Sequence, residues 1–263
     1  MFLRKIGAIL AVIVCISILL FSYTNWKDKI ESAGSQPAET SAPAEVEEET
    51  KEPVDEEVAS IDIDSLTSEM DEQIREVFLD RKDSAKKLQL LIVGSEAMDE
   101  GSPGYAKALT ESLEEAYGDF IETDMVSFDG TSEDFLDEET DLSAGYDVVL
   151  MEPFTLNDNG IVEIEAEHEH IMEFFGQVQT EESDAVLVLH PPQPIYGAQF
   201  YKSQVGALQE FALRNDFAYI DHWAEWPDTE DEAVKDYLDD DSNPNNDGAT
   251  LWADALTAYF IAE

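Results

Sequence analysis

The residues able to do chemistry in this chain sit in short, widely separated stretches, and their types point to acyl transfer. Ser95 ends the apolar run Leu90-Leu91-Ile92-Val93-Gly94-Ser95. A serine at a strand-to-helix turn can expose its hydroxyl as a nucleophile, although Gly-Ser pairs also serve as plain turns or helix caps. An imidazole can take a serine's proton near neutral pH. His190, in Leu189-His190-Pro191-Pro192, and His222, in Tyr219-Ile220-Asp221-His222-Trp223, each follow an apolar run and are the candidate bases; beside Pro or Trp, each also reads as a hydrogen-bonded structural histidine. His168 and His170 fall in the acidic stretch Glu163 to Glu173. Residues two apart on a helix do not share a face, so this pair reads as a solvated face. Asn157, in Thr155-Leu156-Asn157-Asp158-Asn159-Gly160, carries an amide that could stabilise developing negative charge by about 3 kcal/mol; the same text also fits an Asn-Asp turn. Gly130 in Asp129-Gly130-Thr131-Ser132 could offer a backbone N–H or simply a turn. Glu152, just before Pro153, could place a carboxylate in the same pocket.

The elements that must position these residues follow from hydrophobic periodicity. Leu66, Met70, Ile74, Val77 and Phe78 recur at helical spacing, as do Tyr105, Leu109, Leu113 and Tyr117, which stop at Gly118. Further helices carry Phe135 and Leu136; Ile164, His168, Ile171, Met172 and Phe175; Tyr201, Val205, Leu208 and Phe211; and Leu251, Trp252, Ala255, Leu256 and Tyr259. Strands are expected at Leu88 to Val93, Ile121 to Phe128, Asp147 to Met151, Ala185 to Leu189 and Phe217 to Ile220. Strands alternating with helices predict an α/β, doubly wound, three-layer sandwich around a five-stranded, mainly parallel sheet. Ligands bind beyond the carboxyl ends of such strands. That edge gathers Gly94-Ser95, Asp129-Gly130, Glu152 onward, His190 and Asp221-His222. Phe200-Tyr201 and Trp223-Ala224-Glu225-Trp226-Pro227 lie near it too, able to stack on sugar rings or to anchor loops.

Three stretches together resemble a known family. Leu90 to Ser95, Thr155-Leu156-Asn157-Asp158, and Asp240-Asp241-Ser242-Asn243-Pro244-Asn245-Asn246-Asp247-Gly248 are similar, in this order, to blocks I, III and V of the SGNH/GDSL hydrolases. Block I of that family reads Gly-Asp-Ser. Here Gly94-Ser95-Glu96 puts Glu96 in the serine's place by strict alignment, and Ser95 there after a one-residue shift. Gly130 is placed like the block II glycine, and Asn157 like the block III oxyanion donor. In the last block Asp240, Pro244-Asn245 and Gly248 match, while Asn243 stands where the histidine belongs. The resemblance covers about Leu88 to the C-terminus. It implies ester hydrolysis through an acyl-serine, on an ester or glycan substrate such as a carbohydrate O-acetyl ester of the cell envelope, without a cofactor. Ser95 would attack, Gly130 and Asn157 would hold the oxyanion, and His222 or His190 would substitute as base, since Asp240 has no imidazole in its own block to orient. The alternative is a degenerate relative that binds a glycan or envelope component without turning it over. No Gly-rich phosphate loop or paired-Cys metal motif appears, so neither cofactor nor metal is expected.

The ends and the charge bound the setting. Arg4 and Lys5 precede an apolar run from Ile6 to Phe21, followed by Tyr23 and Trp26 but no small-x-small cleavage site. This reads as a membrane signal anchor over residues 1–26 rather than a cleaved peptide. With the positive residues inside, the chain is expected to be single-pass, its domain on the outer face of a bacterial cell membrane. Cys15, the single cysteine, lies in that run and excludes an intrachain disulfide. Residues 27–60, rich in Pro, Ala, Ser, Thr and Glu, read as an acidic, disordered stalk. Residues 61–263 form the SGNH-hydrolase-like domain. The chain carries 61 Asp and Glu against 14 Lys and Arg, a net charge of −47. Such repulsion disfavours nucleic acid as a partner and suits brine, where a Debye length of about 3 Å at 1 M salt screens it.

Overall fold

The computed structural model describes residues 61–262, which fall in one compact unit. The expected anchor and stalk lie outside the described residues. Among the described residues no helix is long and apolar enough to cross a membrane.

Five strands form one sheet, β1 (Leu88–Ser95), β2 (Ile121–Phe128), β3 (Val148–Met151), β4 (Val186–Leu189) and β5 (Ala218–Tyr219), in the order β2-β1-β3-β4-β5. Every pairing is parallel. The sequence expectation of a mainly parallel sheet therefore holds, with no antiparallel strand in this sheet among the described residues. The short β-branched and leucine-rich runs of β1 and β3 are buried on both faces, as central parallel strands must be. β2, at the edge, is buried only at Ile121 and is otherwise partly or fully exposed.

The helices are α1 (Ile63–Leu66), α2 (Glu72–Asp83), α3 (Tyr105–Tyr117), α4 (Ser132–Asp137), α5 (Ile164–Glu181), α6 (Gln199–Arg214) and α7 (Asn246–Phe260). The stripe from Leu66 to Phe78 belongs to two helices rather than one, because the chain leaves α1 at Thr67 and re-enters helix after Asp71. Alternation along β1 divides the core in two. Leu88, Leu90 and Ile92 face α2, α3 and α7 through Ile74, Phe78, Leu109, Leu113, Trp252 and Leu256. Leu91 and Val93 face α4, α5 and α6 through Phe135, Ile171, Phe174, Leu208 and Phe211. Two helical layers thus cover one sheet.

At the amino ends of the strands, Arg81 of α2 pairs with Asp147 and, at 2.9 Å, with Glu182. Asp147 also accepts from the Gln89 N–H at 2.8 Å. This fixes the entrance to β3 and leaves the opposite edge to the loops that hold the candidate site residues.

Candidate functional site

The carboxyl end of β1 delivers Ser95 to Glu152, the residue after β3, because the parallel register sets Val93 opposite Met151. Ser95 Oγ lies 2.8 Å from Glu152 Oε1, and Ser95 N–H donates to Oε2 at 3.2 Å. Tyr105 of α3 donates its hydroxyl to the same Oε2 at 3.2 Å. Glu152 is wholly buried and Ser95 is 4% exposed. Burial pushes the Glu152 carboxyl up to about 8, against the opposing pull of the hydrogen bonds from Ser95 and Tyr105. At neutral pH the carboxyl is therefore held mainly in its protonated, uncharged form. Gly94 makes room for it: a Cβ there would meet Glu152 Oε2 at 2.7 Å. Ser95 is thus bonded to a buried acid on the neighbouring strand rather than presented to the edge. Glu96, the next residue, opens a 3-10 turn and is exposed.

Neither candidate base bonds Ser95. His190 and His222 are buried in an aromatic stack, with Tyr105 on Trp252 at 4.0 Å and Trp252 on His222 at 4.5 Å. His190 meets all three rings edge-on. His222 Nδ1 accepts from Trp226 Nε1 at 3.1 Å, so its Nε2–H donates to the Pro191 carbonyl at 2.8 Å. Trp252 Nε1 lies 3.3 Å from His190 Nδ1. Burial holds His190 down to about 3 and, together with neighbouring His190, holds His222 well below the usual imidazole range. Both stay neutral and serve the core, the arrangement that the flanking Pro and Trp residues allow.

The last block is a loop and a helix cap. Asn245 caps α7, accepting from Asp247 N–H and Gly248 N–H at 2.9 and 3.1 Å, while its amide donates to the carbonyls of Asp236 and Leu238. Gly248 is required by close approach, since a Cβ would fall 2.2 Å from the Tyr237 carbonyl. Asp240, expected to orient a base, is exposed and makes no side-chain hydrogen bond among the described residues. The structural aspartate is Asp239, which accepts from the N–H groups of Asp241 and Asn243 at 2.9 Å each. An acceptor at the start of this turn reaches the N–H groups that follow it, whereas its neighbour points to solvent. Asn243 is half-buried, and its backbone N–H and carbonyl both close this loop.

Gly130 and Asn157 are both half-exposed on the loops after β2 and β3. Among the described residues, neither the Gly130 N–H nor the Asn157 amide is hydrogen-bonded. Between these loops lies a cluster that the sequence did not reveal. Ser132, the first residue of α4, gives its N–H to Asp158 Oδ1 at 2.9 Å, and its Oγ lies 2.6 Å from Asp158 Oδ2. The same Oγ is 2.8 Å from His170 Nδ1. Nearby, Thr155 donates to Glu167, a buried carboxyl raised to about 8 by burial. His168 stacks on Phe211 at 4.3 Å. The pair expected on a solvated face is therefore half-buried and engaged; helix spacing shows which residues share a face but not what packs on it. The one available signal was Asp158 beside Asn157.

The aromatics mostly anchor loops. Tyr201 donates to the Gln193 carbonyl at 2.9 Å, and Trp223 Nε1 to the Pro192 carbonyl at 2.7 Å. Phe200 alone of this set is largely exposed, at 60%. Among the described residues, no group of three or more His, Cys, Asp or Glu is placed to hold a metal.

A single parallel sheet in three layers, with loops gathering Ser, Gly, Asn and Glu at its carboxyl edge, defines a three-layer α/β fold. The architecture is that of the SGNH/GDSL hydrolases. A protein from Desulfitobacterium hafniense DCB-2 described as a lipolytic protein of the G-D-S-L family superposes with a TM-score of 0.54 at 15% identity, covering 66% of this chain and 99% of that one. Axe2, an acetylxylan esterase from Geobacillus stearothermophilus, gives 0.54 at 14% identity, over 67% of this chain and 95% of its own. The lipase Lip_vut3 from a goat rumen metagenome gives 0.51 at 13% identity, over 67% and 99%. No protein-family model matches the sequence, and no curated protein matches it.

Proposed function

We propose that the domain binds an ester-bearing ligand, such as an O-acetylated glycan of the cell envelope, at the carboxyl edge of its sheet without serine-based turnover. The observation that carries this reading is the Ser95–Glu152 pair. A buried hydroxyl held by a neutral acid, with no imidazole on it, has no group to take its proton. The exposed residue at the strand end is Glu96, and Asn243 occupies the base's place in the last block; an amide does not accept a proton near neutral pH. The unengaged Gly130 N–H and Asn157 amide support retained recognition of an ester carbonyl. They also favour the second reading, an esterase acting through Ser95 with Gly130 and Asn157 at the oxyanion.

Full-length protein incubated with aryl acetates and with acetylated xylan separates the two. The binding reading expects acetylated xylan to retain the protein, Asn157→Ala to weaken that retention, and acetate release to equal the Ser95→Ala background. Turnover that disappears in Ser95→Ala would establish the esterase instead. Arg4-Lys5 before the apolar run further supports a single-pass anchor with the domain outside the cytoplasmic membrane. Protease added to intact protoplasts should then remove the domain, and a protected full-length chain would refute the orientation.

A further inference from the structure

Among the described residues only two aromatic side chains are exposed, Tyr196 at 38% and Phe200 at 60%. Both lie where β4 connects to α6, four positions apart, a stretch of chain that spans at most about 14 Å. β4 pairs with β3, so this connection rises beside the Asn157 loop at the carboxyl edge. Single exposed apolar residues are ordinary on a protein surface. These two differ in how firmly the chain beneath them is held. The Pro191 carbonyl accepts from His222 at 2.8 Å, the Pro192 carbonyl from Trp223 at 2.7 Å and the Gln193 carbonyl from Tyr201 at 2.9 Å. Gln193 Nε2 donates to the Ser242 carbonyl at 3.2 Å, and Gly197 N–H to the Thr229 carbonyl at 2.8 Å. Residues 191–194 are buried, and Tyr196 stands at the exposed tip. The Lys235 ammonium lies 3.9 Å from the centre of its ring and holds the plane from one face. Phe200 is placed by its neighbours, Gln199 on Glu230 and the buried Tyr201. We infer that Tyr196 and Phe200 form a rigid aromatic platform on which the domain stacks the ring faces of a neutral glycan.

Charge and shape choose this ligand. The chain carries a net charge of −47, and the platform is acidic too. Asp228 lies 3.9 Å from Lys202, Glu230 accepts from Gln199 at 3.4 Å, and Glu232 stands 3.5 Å from Lys235. Three carboxylates against two ammonium groups disfavour an anionic polysaccharide or an anionic membrane surface. A second copy of the chain would bring the same acids face to face. A neutral sugar carries no charge to be repelled. The C–H face of its ring has the flat apolar outline that an aromatic side chain covers. Its hydroxyls can donate to the surrounding carboxylates and accept from the ammonium groups. Holding both rings in place before the ligand arrives lowers the ordering cost of binding. The platform rests on the glycan-binding reading of this edge and adds to it: the sugar ring is recognised apart from the ester, and anionic glycans are refused.

Retention of the full-length protein, in detergent, on immobilised polysaccharides tests this at the lowest salt at which the domain is folded. The probes are deacetylated xylan, glucan, mannan and polygalacturonate. Without acetyl groups, retention reports the platform and not the ester. At least one of the neutral glycans should retain the protein, and polygalacturonate should not. Tyr196→Ala and Phe200→Ala should each weaken retention about three- to tenfold, the scale of one aromatic contact, and Tyr196→Phe should keep it. Lys235→Met should weaken it and Lys235→Arg restore it, because a guanidinium also stacks on an aromatic face. All three side chains are exposed, so Tm should not move, which separates loss of the platform from loss of the fold. Unchanged retention in the Tyr196→Ala, Phe200→Ala double variant, retention by polygalacturonate alone, or no retention by any neutral glycan would each overturn the platform. So would dimerisation, or binding to phosphatidylglycerol vesicles, that disappears in Phe200→Ala, since each names another occupant. If acetylated and deacetylated xylan bind alike and both depend on Tyr196, the platform stands and ester recognition at Asn157 fails.

Discussion

Replacing Glu152 by Gln should stabilise this domain by an amount that grows with pH. Glu152 is wholly buried, its carboxyl is raised from 4.5 to about 8, and desolvation is the main cause. The unfolded chain releases this proton near pH 4.5, whereas the folded chain keeps it until about pH 8. Folding therefore becomes less favourable across that window, the opposite of a salt-bridged carboxylate. At 1.36 kcal/mol per unit, the cost is absent below about pH 4.5, about 3 kcal/mol at pH 7, and about 5 kcal/mol on the plateau above pH 8. A glutamine has no such cost. Its Oε1 can accept from Ser95 N–H and Tyr105, and its Nε2–H can donate to Ser95 Oγ, which reproduces the neutral acid. Urea unfolding of both proteins at about pH 5, 7 and 9, in one molar-salt buffer that screens surface charge, isolates this difference. At pH 7 it corresponds to about 10 °C in Tm for a domain of this size. A difference that is constant with pH, or a glutamine variant less stable than wild type at pH 9, would refute the assignment of Glu152 as a buried neutral acid.

Other consequences follow from the same packing. Gly94→Ala places a Cβ 2.7 Å from Glu152 Oε2 and should destabilise the domain by about 1–3 kcal/mol in chemical denaturation; a neutral effect would mean that Glu152 has freedom to move. His222→Ala breaks the bonds to Pro191 and Trp226 and unstacks Trp252, so it should cost about 2–4 kcal/mol of stability. Loss of ester turnover without loss of stability would instead mark His222 as a base. The acidic excess should make the melting temperature higher in molar NaCl or KCl than in dilute buffer, and a flat salt profile would remove the argument for a brine-adapted surface. If the edge has lost both its nucleophile and its base, Glu96→Ser combined with Asn243→His should release aryl acetate above the level of either single variant; no gain in a folded double variant would show that the site has diverged beyond these two positions.

Periodicity alone placed all five strands and the main helices, because residues such as Leu88 to Val93 and Leu109 to Tyr117 declare burial on two faces or on one stripe. The Gly and Pro residues that close those runs gave their ends, and strand–helix alternation gave the layers. The apolar core needs little more, since burial is decided residue by residue. The site was another matter. Sequence brought Ser95, Glu152, Gly130, Asn157, His190 and His222 to one edge, but which atoms meet there depends on strand order and side-chain direction. Only the parallel register of β1 and β3 joins Ser95 to Glu152, and only the tertiary packing sets His190 and His222 against Trp252 rather than beside Ser95. Asp240 and Asp239 are indistinguishable as text and both exposed, yet the turn's N–H groups bond to Asp239 and not to Asp240. Ser132, Asp158 and His170 come from three different elements with no motif linking them. Their hydrogen bonds exist because α4 and α5 pack on the same face of the sheet, a long-range arrangement that no local pattern encodes.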